Sequence, residues 1–169
     1  MVSSSFRLPF RVFGIPIRLD VTFVLLIGLL TWLIGGRVGT YIELFRLPLD
    51  PAPLQRGPTP WLLGFASAVG LMVSVLIHEL AHALTARRFG IEIKEIRLWI
   101  LGGIAQFERM PSRPSAEALV AIVGPVTSAA LGLALWWVSG LLGAGAGAML
   151  VVVSYLAAAA ASVLGWKLG

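Results

Sequence analysis

The sequence has no cysteine. That excludes disulfides, thiol nucleophiles and cysteine-ligated metal, and it says nothing about redox compartment. Charge is also scarce: 12% of the residues are charged, against roughly 25% in soluble domains. Histidine occurs only at His78 and His82, no aspartate follows Asp50, and no acid of any kind follows Glu117. Internal repeats and low-complexity tails are missing too. What fills the chain instead is apolar: 58% of the 169 residues are hydrophobic and the mean hydropathy is +0.92. At about 150 residues per domain this length suggests a single unit, residues 1–169. One unit of that size cannot hide so much apolar surface from water, so the expected solvent is the lipid bilayer. The net charge of +5 is explained by basic loops facing the cytoplasm, and no nucleic-acid partner is expected.

Four apolar spans can be drawn, at about 21–36, 61–86, 116–139 and 146–165. A spanning helix needs about 17–25 residues. The last three spans satisfy this, and the first falls slightly short. A cleaved signal peptide is the rival reading of the first span, but Arg7, Arg11 and Arg18 precede it and no A-x-A site follows. Placing both termini inside puts those arginines in the cytoplasm with Arg87, Arg88, Lys94, Arg97, Arg109, Arg113 and Lys167. Only Arg37, Arg46 and Arg56 are then outside, which favours this topology in a cell (inner) membrane.

Between the first two spans, Pro48, Pro51, Pro53, Pro58 and Pro60 predict an irregular loop. Residues 91–107 differ: Ile91, Ile93, Ile96, Leu98 and Ile100 alternate roughly with Glu92, Lys94 and Arg97, then break at Gly102-Gly103. That period of two predicts a small cytoplasmic β-hairpin. It either covers the helix ends or exposes an edge to which an extended peptide can pair. The expected fold class is an all-α polytopic membrane protein of about four transmembrane helices, with this hairpin between helices two and three.

Within the second span the only ionisable residues are His78, Glu79 and His82. Positions i and i+4 of a helix share a face one turn apart, so both imidazoles can converge on one ion. The pattern is H-E-x-x-H, in which two histidines bind Zn2+ and the glutamate is the general base. Neutral imidazoles hold zinc without cancelling its charge, zinc acidifies a bound water, and a nearby carboxylate takes the proton. The alternative is a set of buried polar residues that satisfy one another. It has to account for all three sharing one membrane helix, where a charged group commonly costs about 2.5–3.5 kcal/mol. At 1.5 Å per residue His78 lies about 25 Å along the helix from Trp61, near the cytoplasmic face, where water can arrive.

Four segments together resemble the site-two protease family of intramembrane zinc metalloproteases. They are V-F-G-I-P-I before the first span, I-H-E-L-A-H-A in the second, I-R-L-W-I-L-G-G-I-A-Q after it, and A-I-V-G-P-V-T-S in the third. The resemblance implies regulated intramembrane proteolysis, the cleavage of a transmembrane protein substrate within or beside its membrane helix. It assigns His78 and His82 as zinc ligands, Glu79 as catalytic base, and the hairpin with Gly102 and Gly103 as a surface that presents unwound substrate. Gly124 and Ser128 match the family's G-x-x-x-(N/S/G) pattern, linked to substrate handling. Small residues four apart equally serve close helix packing, and Pro125 reads as a kink.

The family takes its third ligand from an aspartate in an L-D-G motif on a later helix, and the fourth span here has no metal-binding side chain. L-P-L-D at 47–50 looks superficially similar, but the topology puts Asp50 across the membrane from His82. Asp20 reads as a helix N-cap, Glu108 and Glu117 fall in the inner loop, and Thr85 and Arg88 occupy the places of an extended H-E-x-x-H-x-x-G-x-x-H pattern. Either the chain is the N-terminal part of a longer protease, or it is a short form that binds zinc weakly without turnover, or an unusual ligand completes the site. The rival from another class is a catalytically incomplete membrane protein that binds a partner helix. Metal transport predicts polar residues on several spans, and apart from Ser, Thr, Tyr and Trp the other spans offer none. Nothing in the sequence specifies an oligomeric state.

Overall fold

A computed structural model describes residues 5–44, 50–100, 102–107 and 113–142. The chain opens with two strands, β1 (Ser5–Val12) and β2 (Ile15–Asp20), which lead directly into helix α1 (Val21–Gly35). The start of α1 is set by Asp20, whose carboxylate accepts from the Thr22 backbone N–H at 3.0 Å and from the Thr22 hydroxyl at 2.8 Å. This is the capping role expected of it. After Gly35 the chain turns through 65° into a short helix α2 (Val38–Leu44). A further single turn, α3 (Pro51–Leu54), follows Asp50. The loop expected to be irregular therefore holds two short helices. Its own residues explain the second: Asp50 accepts from the Ala52 N–H at 2.9 Å, and Pro51 is preset for a first helical turn.

Helix α4 (Thr59–Arg88) runs for 30 residues, or about 45 Å at 1.5 Å per residue. That exceeds a hydrocarbon core of about 30 Å, so α4 must tilt or protrude from it. It begins with Pro60 in its first turn and ends on Arg87 and Arg88, whose charge suits the negative end of the helix dipole. Arg87 Nη1 also donates to the Phe13 carbonyl at 2.7 Å, tying the helix end to the β1–β2 turn. Helix α5 (Pro114–Leu142) contains Pro125 in its interior. Among the described residues two helical stretches, Thr59–Arg88 and Pro114–Leu135, are long and apolar enough to cross a membrane. The bent pair α1–α2 qualifies only when taken together. The expected fourth span, 146–165, lies outside the described residues.

The predicted hairpin is present as β3 (Ile93–Trp99) and β4 (Gly102–Phe107), paired antiparallel with Leu98 opposite Gly103. It is half of a larger sheet ordered β1-β2-β3-β4, in which β2 and β3 run parallel and Ile17 faces Ile96. The expectation of a two-stranded hairpin on an otherwise helical protein is therefore too small by two strands. Arg7, Arg11 and Arg18 read as loop charges, which masked the alternation of Ile15, Ile17 and Leu19 with Pro16, Arg18 and Asp20.

One sheet face meets the helices. Ile15, Ile17, Ile96, Leu98 and Ala105 form a single core with Phe23 of α1 and Leu71, Met72, Val75, Leu80 and Ala83 of α4. On the other face, Arg18 Nε contacts a Glu95 carboxylate oxygen at 2.6 Å, with Arg97 Nη2 3.8 Å from its second oxygen. Helix α4 packs against both α1 and α5. The approach to α1 is close at Gly64, where an added Cβ would lie 2.5 Å from the Thr31 carbonyl oxygen and 2.8 Å from Gly35 N. Facing outward are Val24, Leu25, Leu29 and Trp32 of α1 and Leu119, Ile122, Val126 and Leu133 of α5. Two helices that both turn large apolar side chains outward are suited to lipid rather than water.

Candidate metal centre

The helical spacing of His78 and His82 sets their rings edge to face, with centroids 4.7 Å apart and planes at 75°. Their Nε2 atoms approach to 3.0 Å. The opposite ring nitrogens both turn to α5: His78 Nδ1 lies 2.9 Å from Ser128 Oγ, and His82 Nδ1 lies 2.6 Å from the Val120 carbonyl oxygen. Val120, Gly124 and Ser128 recur every fourth residue and so share one face of α5. Gly124 sits between the two contacts. A Cβ there would lie 2.7 Å from His78 Nε2 and closer still to the His82 ring. The middle position of this face is thus empty of side chain because the imidazoles fill it. The Gly124 backbone also lies within hydrogen-bond reach of His78.

These contacts constrain protons. A carbonyl oxygen only accepts, so His82 Nδ1 carries the hydrogen and its Nε2 presents a lone pair. His78 takes the same form when the Ser128 hydroxyl accepts from Nδ1. Two Nε2 lone pairs would then face each other 3.0 Å apart, which suits a shared cation. Nitrogen ligands about 2.0–2.1 Å from a tetrahedral zinc stand about 3.3 Å from each other. His78 is buried at 2% exposed, His82 is half-buried, and the donor atoms of the pair fit Zn2+. A hydrolytic zinc site normally has three protein ligands and one open position. Among the described residues no third His, Cys, Asp or Glu joins the pair.

Glu79 lies about 100° further round α4, and the sheet covers it. A Cβ on Gly103 would lie 2.9 Å from Glu79 Cδ and 3.1 Å from Oε1, with Cγ closer. The Ala105 backbone is within hydrogen-bond reach of the carboxyl group. Strand β4 therefore lies directly on the glutamate, and it does so at a residue with no side chain. Gly102 plays a different part: its φ of +123° is a conformation that side chains rarely adopt, while the space around it is open. Among the described strands β4 has one neighbour, β3, and its far edge is unpaired.

His78, Glu79, His82, Gly103, Gly124 and Ser128 thus come together, and Gly102 shapes the strand without touching the others. The acids weighed as a third ligand are placed elsewhere. Asp20 and Asp50 each cap a helix, Glu117 is exposed in the first turn of α5, and Glu108 is outside the described residues. One participant had no side-chain signal: Val120 acts through its carbonyl, and only its spacing of four from Gly124 hinted at a shared face.

Residues 66–165 match the family model described as Peptidase family M50. The chain is 37% identical over 123 residues to a protein of Synechocystis sp. named "Putative zinc metalloprotease sll0528", a match covering 73% of this chain and 30% of that protein. It is 30% identical over 135 residues to "Zinc metalloprotease MJ0392" of Methanocaldococcus jannaschii, covering 80% of this chain and 32% of that protein. The chain thus spans about a third of the length of these curated relatives. Among solved structures it is similar to the Site-2 Protease from Methanocaldococcus jannaschii, with a TM-score of 0.63 and 28% identity. That likeness covers 92% of this chain and 62% of the other.

Proposed function

Because this chain belongs to peptidase family M50, the site-2 protease family, we propose that it carries the histidine pair and catalytic base of a zinc-dependent intramembrane endopeptidase. One observation carries the reading: a buried and a half-buried imidazole turn their Nε2 atoms together at 3.0 Å, with the buried carboxylate of Glu79 beside them beneath the edge strand β4. In this reading His78 and His82 are zinc ligands and an acid from outside the described residues is the third. Zinc, when bound there, would supply Lewis-acid activation of the scissile carbonyl and of water. Glu79 would serve as the base that holds a proton from water and delivers it to the leaving amine. The free edge of β4 aligns an extended stretch of substrate by backbone pairing, beside the base that acts on it. The apolar outward faces of α1 and α5 support a multi-pass membrane position. The end of α4 at Arg87-Arg88, next to the basic sheet, supports a cytoplasmic location for that end and for both termini.

Cleavage of a transmembrane substrate by the membrane-embedded protein tests the reading. Wild-type protein is expected to cleave, and Glu79→Gln to lose about 10²–10⁴-fold in rate while still binding the substrate. A wild-type protein that binds a transmembrane helix and leaves it intact would favour the rival reading, a partner-binding membrane protein without turnover.

A further inference from the structure

We infer that Ser128 is a positioning residue for the metal centre: its hydroxyl holds His78 at Nδ1 and so turns the bare Nε2 toward the ion. The inference rests on the zinc reading of His78 and His82 above, and it assigns Ser128 a role other than substrate handling or helix packing.

The two histidines are held by unlike partners. His82 is fixed by a backbone carbonyl, 2.6 Å from Nδ1. No side-chain substitution removes that acceptor, and its chemistry dictates which ring nitrogen is protonated. His78 has the Gly124 backbone within hydrogen-bond reach, but its closest partner on α5 is a side chain. Its Nδ1 meets Ser128 Oγ at 2.9 Å, and a hydroxyl can either donate or accept. That difference matters at the Nε2 pair. With His82 Nε2 always a lone pair, His78 either donates an Nε2–H across the 3.0 Å gap or leaves its own lone pair there for a cation. In the first form Ser128 donates to Nδ1. In the second the ring proton sits on Nδ1 and Ser128 accepts it. A hydroxyl serves both forms by rotating, so His78 Nδ1 keeps its partner when a metal-bridged pair replaces a proton-bridged one. Ser128 is itself 5% exposed, so water cannot readily take over its role.

Ser128 Oγ lies on the Nδ1 side of His78, away from the Nε2 pair, and Glu79 faces the sheet. Partners of this kind behind a ligating imidazole are commonly worth 10–100-fold in metal affinity.

The test is zinc affinity of the purified, detergent-solubilised protein, measured by competition with a chromophoric chelator, for wild type, Ser128→Ala and Ser128→Thr. The expected result is a loss of about 10–100-fold in affinity for Ser128→Ala and recovery to within a few-fold of wild type for Ser128→Thr, which keeps the hydroxyl. Imidazole 15N spectra supply a second readout that packing alone would not move. The His78 tautomer signal should change on zinc addition in wild type and Ser128→Thr, and should broaden or lose its single form in Ser128→Ala. Wild-type affinity in a folded Ser128→Ala protein would overturn the inference and leave the zinc reading intact. If wild-type protein takes up no zinc through His78 and His82, both fall together.

Discussion

At the scale of single residues, two glycines do what the named polar residues cannot do for themselves. Gly124 leaves the space where the imidazoles meet. A methyl group there would lie 2.7 Å from His78 Nε2, so Gly124→Ala should spread the pair. Zinc uptake is expected to fall at least about tenfold, as for loss of a supporting contact, while circular dichroism stays native. Gly103 makes room for Glu79 in the same way, with its added Cβ 2.9 Å from Glu79 Cδ. Gly103→Ala is therefore expected to slow cleavage by about tenfold or more, since small misplacements of reacting groups are costly, and to leave zinc content unchanged. Comparing the two variants in the same pair of assays separates the base from the ligands. Much of this was legible in the sequence. H-E-x-x-H states its geometry through its spacing, and Gly124 and Ser128 stood out at a spacing of four. That Ser128 meets His78 was not legible, because which faces of α4 and α5 touch depends on how the helices cross. The Val120 carbonyl has no signature at all, since every residue carries one.

At the scale of elements, the site is held between a helix pair and a sheet, and each contact can be loosened separately. The α1–α4 crossing depends on Gly64, where a side chain would meet backbone atoms of Thr31 and Gly35 at 2.5 and 2.8 Å. Gly64→Val should cost about 1–3 kcal/mol through overpacking and lower the thermal midpoint in detergent. Gly28→Ala, whose Cβ meets nothing within 4 Å, is the matched control and should be neutral or slightly stabilising. In the sheet, Glu95 is the acid that Arg18 contacts at 2.6 Å, with their side chains 11% and 22% exposed. Glu95→Ala removes the acid that lies between Arg18 and Arg97 and should destabilise the protein by about 1–3 kcal/mol, read from the same melts. The hairpin was legible because its alternation is flanked by glycines. The strands before it were hidden, since their arginines served equally well as topology signals and Pro9 and Pro16 weaken a strand reading. The pairing of β2 with β3 joins segments on either side of four helices, α1 to α4, and local patterns do not encode such a partner.

At the scale of the whole molecule, the lack of cysteine becomes an experimental advantage, because any introduced thiol is the only one. Glu92→Cys, after α4, and Arg56→Cys, before it, should be labelled by a membrane-impermeant reagent from opposite faces of sealed vesicles, with Glu92→Cys on the cytoplasmic side. Labelling of both from one face would contradict α4 as a spanning helix. Composition made the membrane class plain, since no arrangement of one small unit buries so apolar a chain. It also made plain that the acids end at Glu117, and the structure brings no third His, Cys, Asp or Glu to the pair among the described residues. On this reading His78 and His82 form a metal centre rather than a self-satisfied polar pair. Zinc K-edge absorption of the purified protein tests it most directly, on wild type, Glu79→Gln and His82→Ala. Wild type and Glu79→Gln are expected to show zinc with two imidazole nitrogens at about 2.0–2.1 Å, and His82→Ala to lose that signal. A wild-type spectrum without imidazole scattering, or one that His82→Ala leaves unchanged, would rule out a zinc site at the histidine pair.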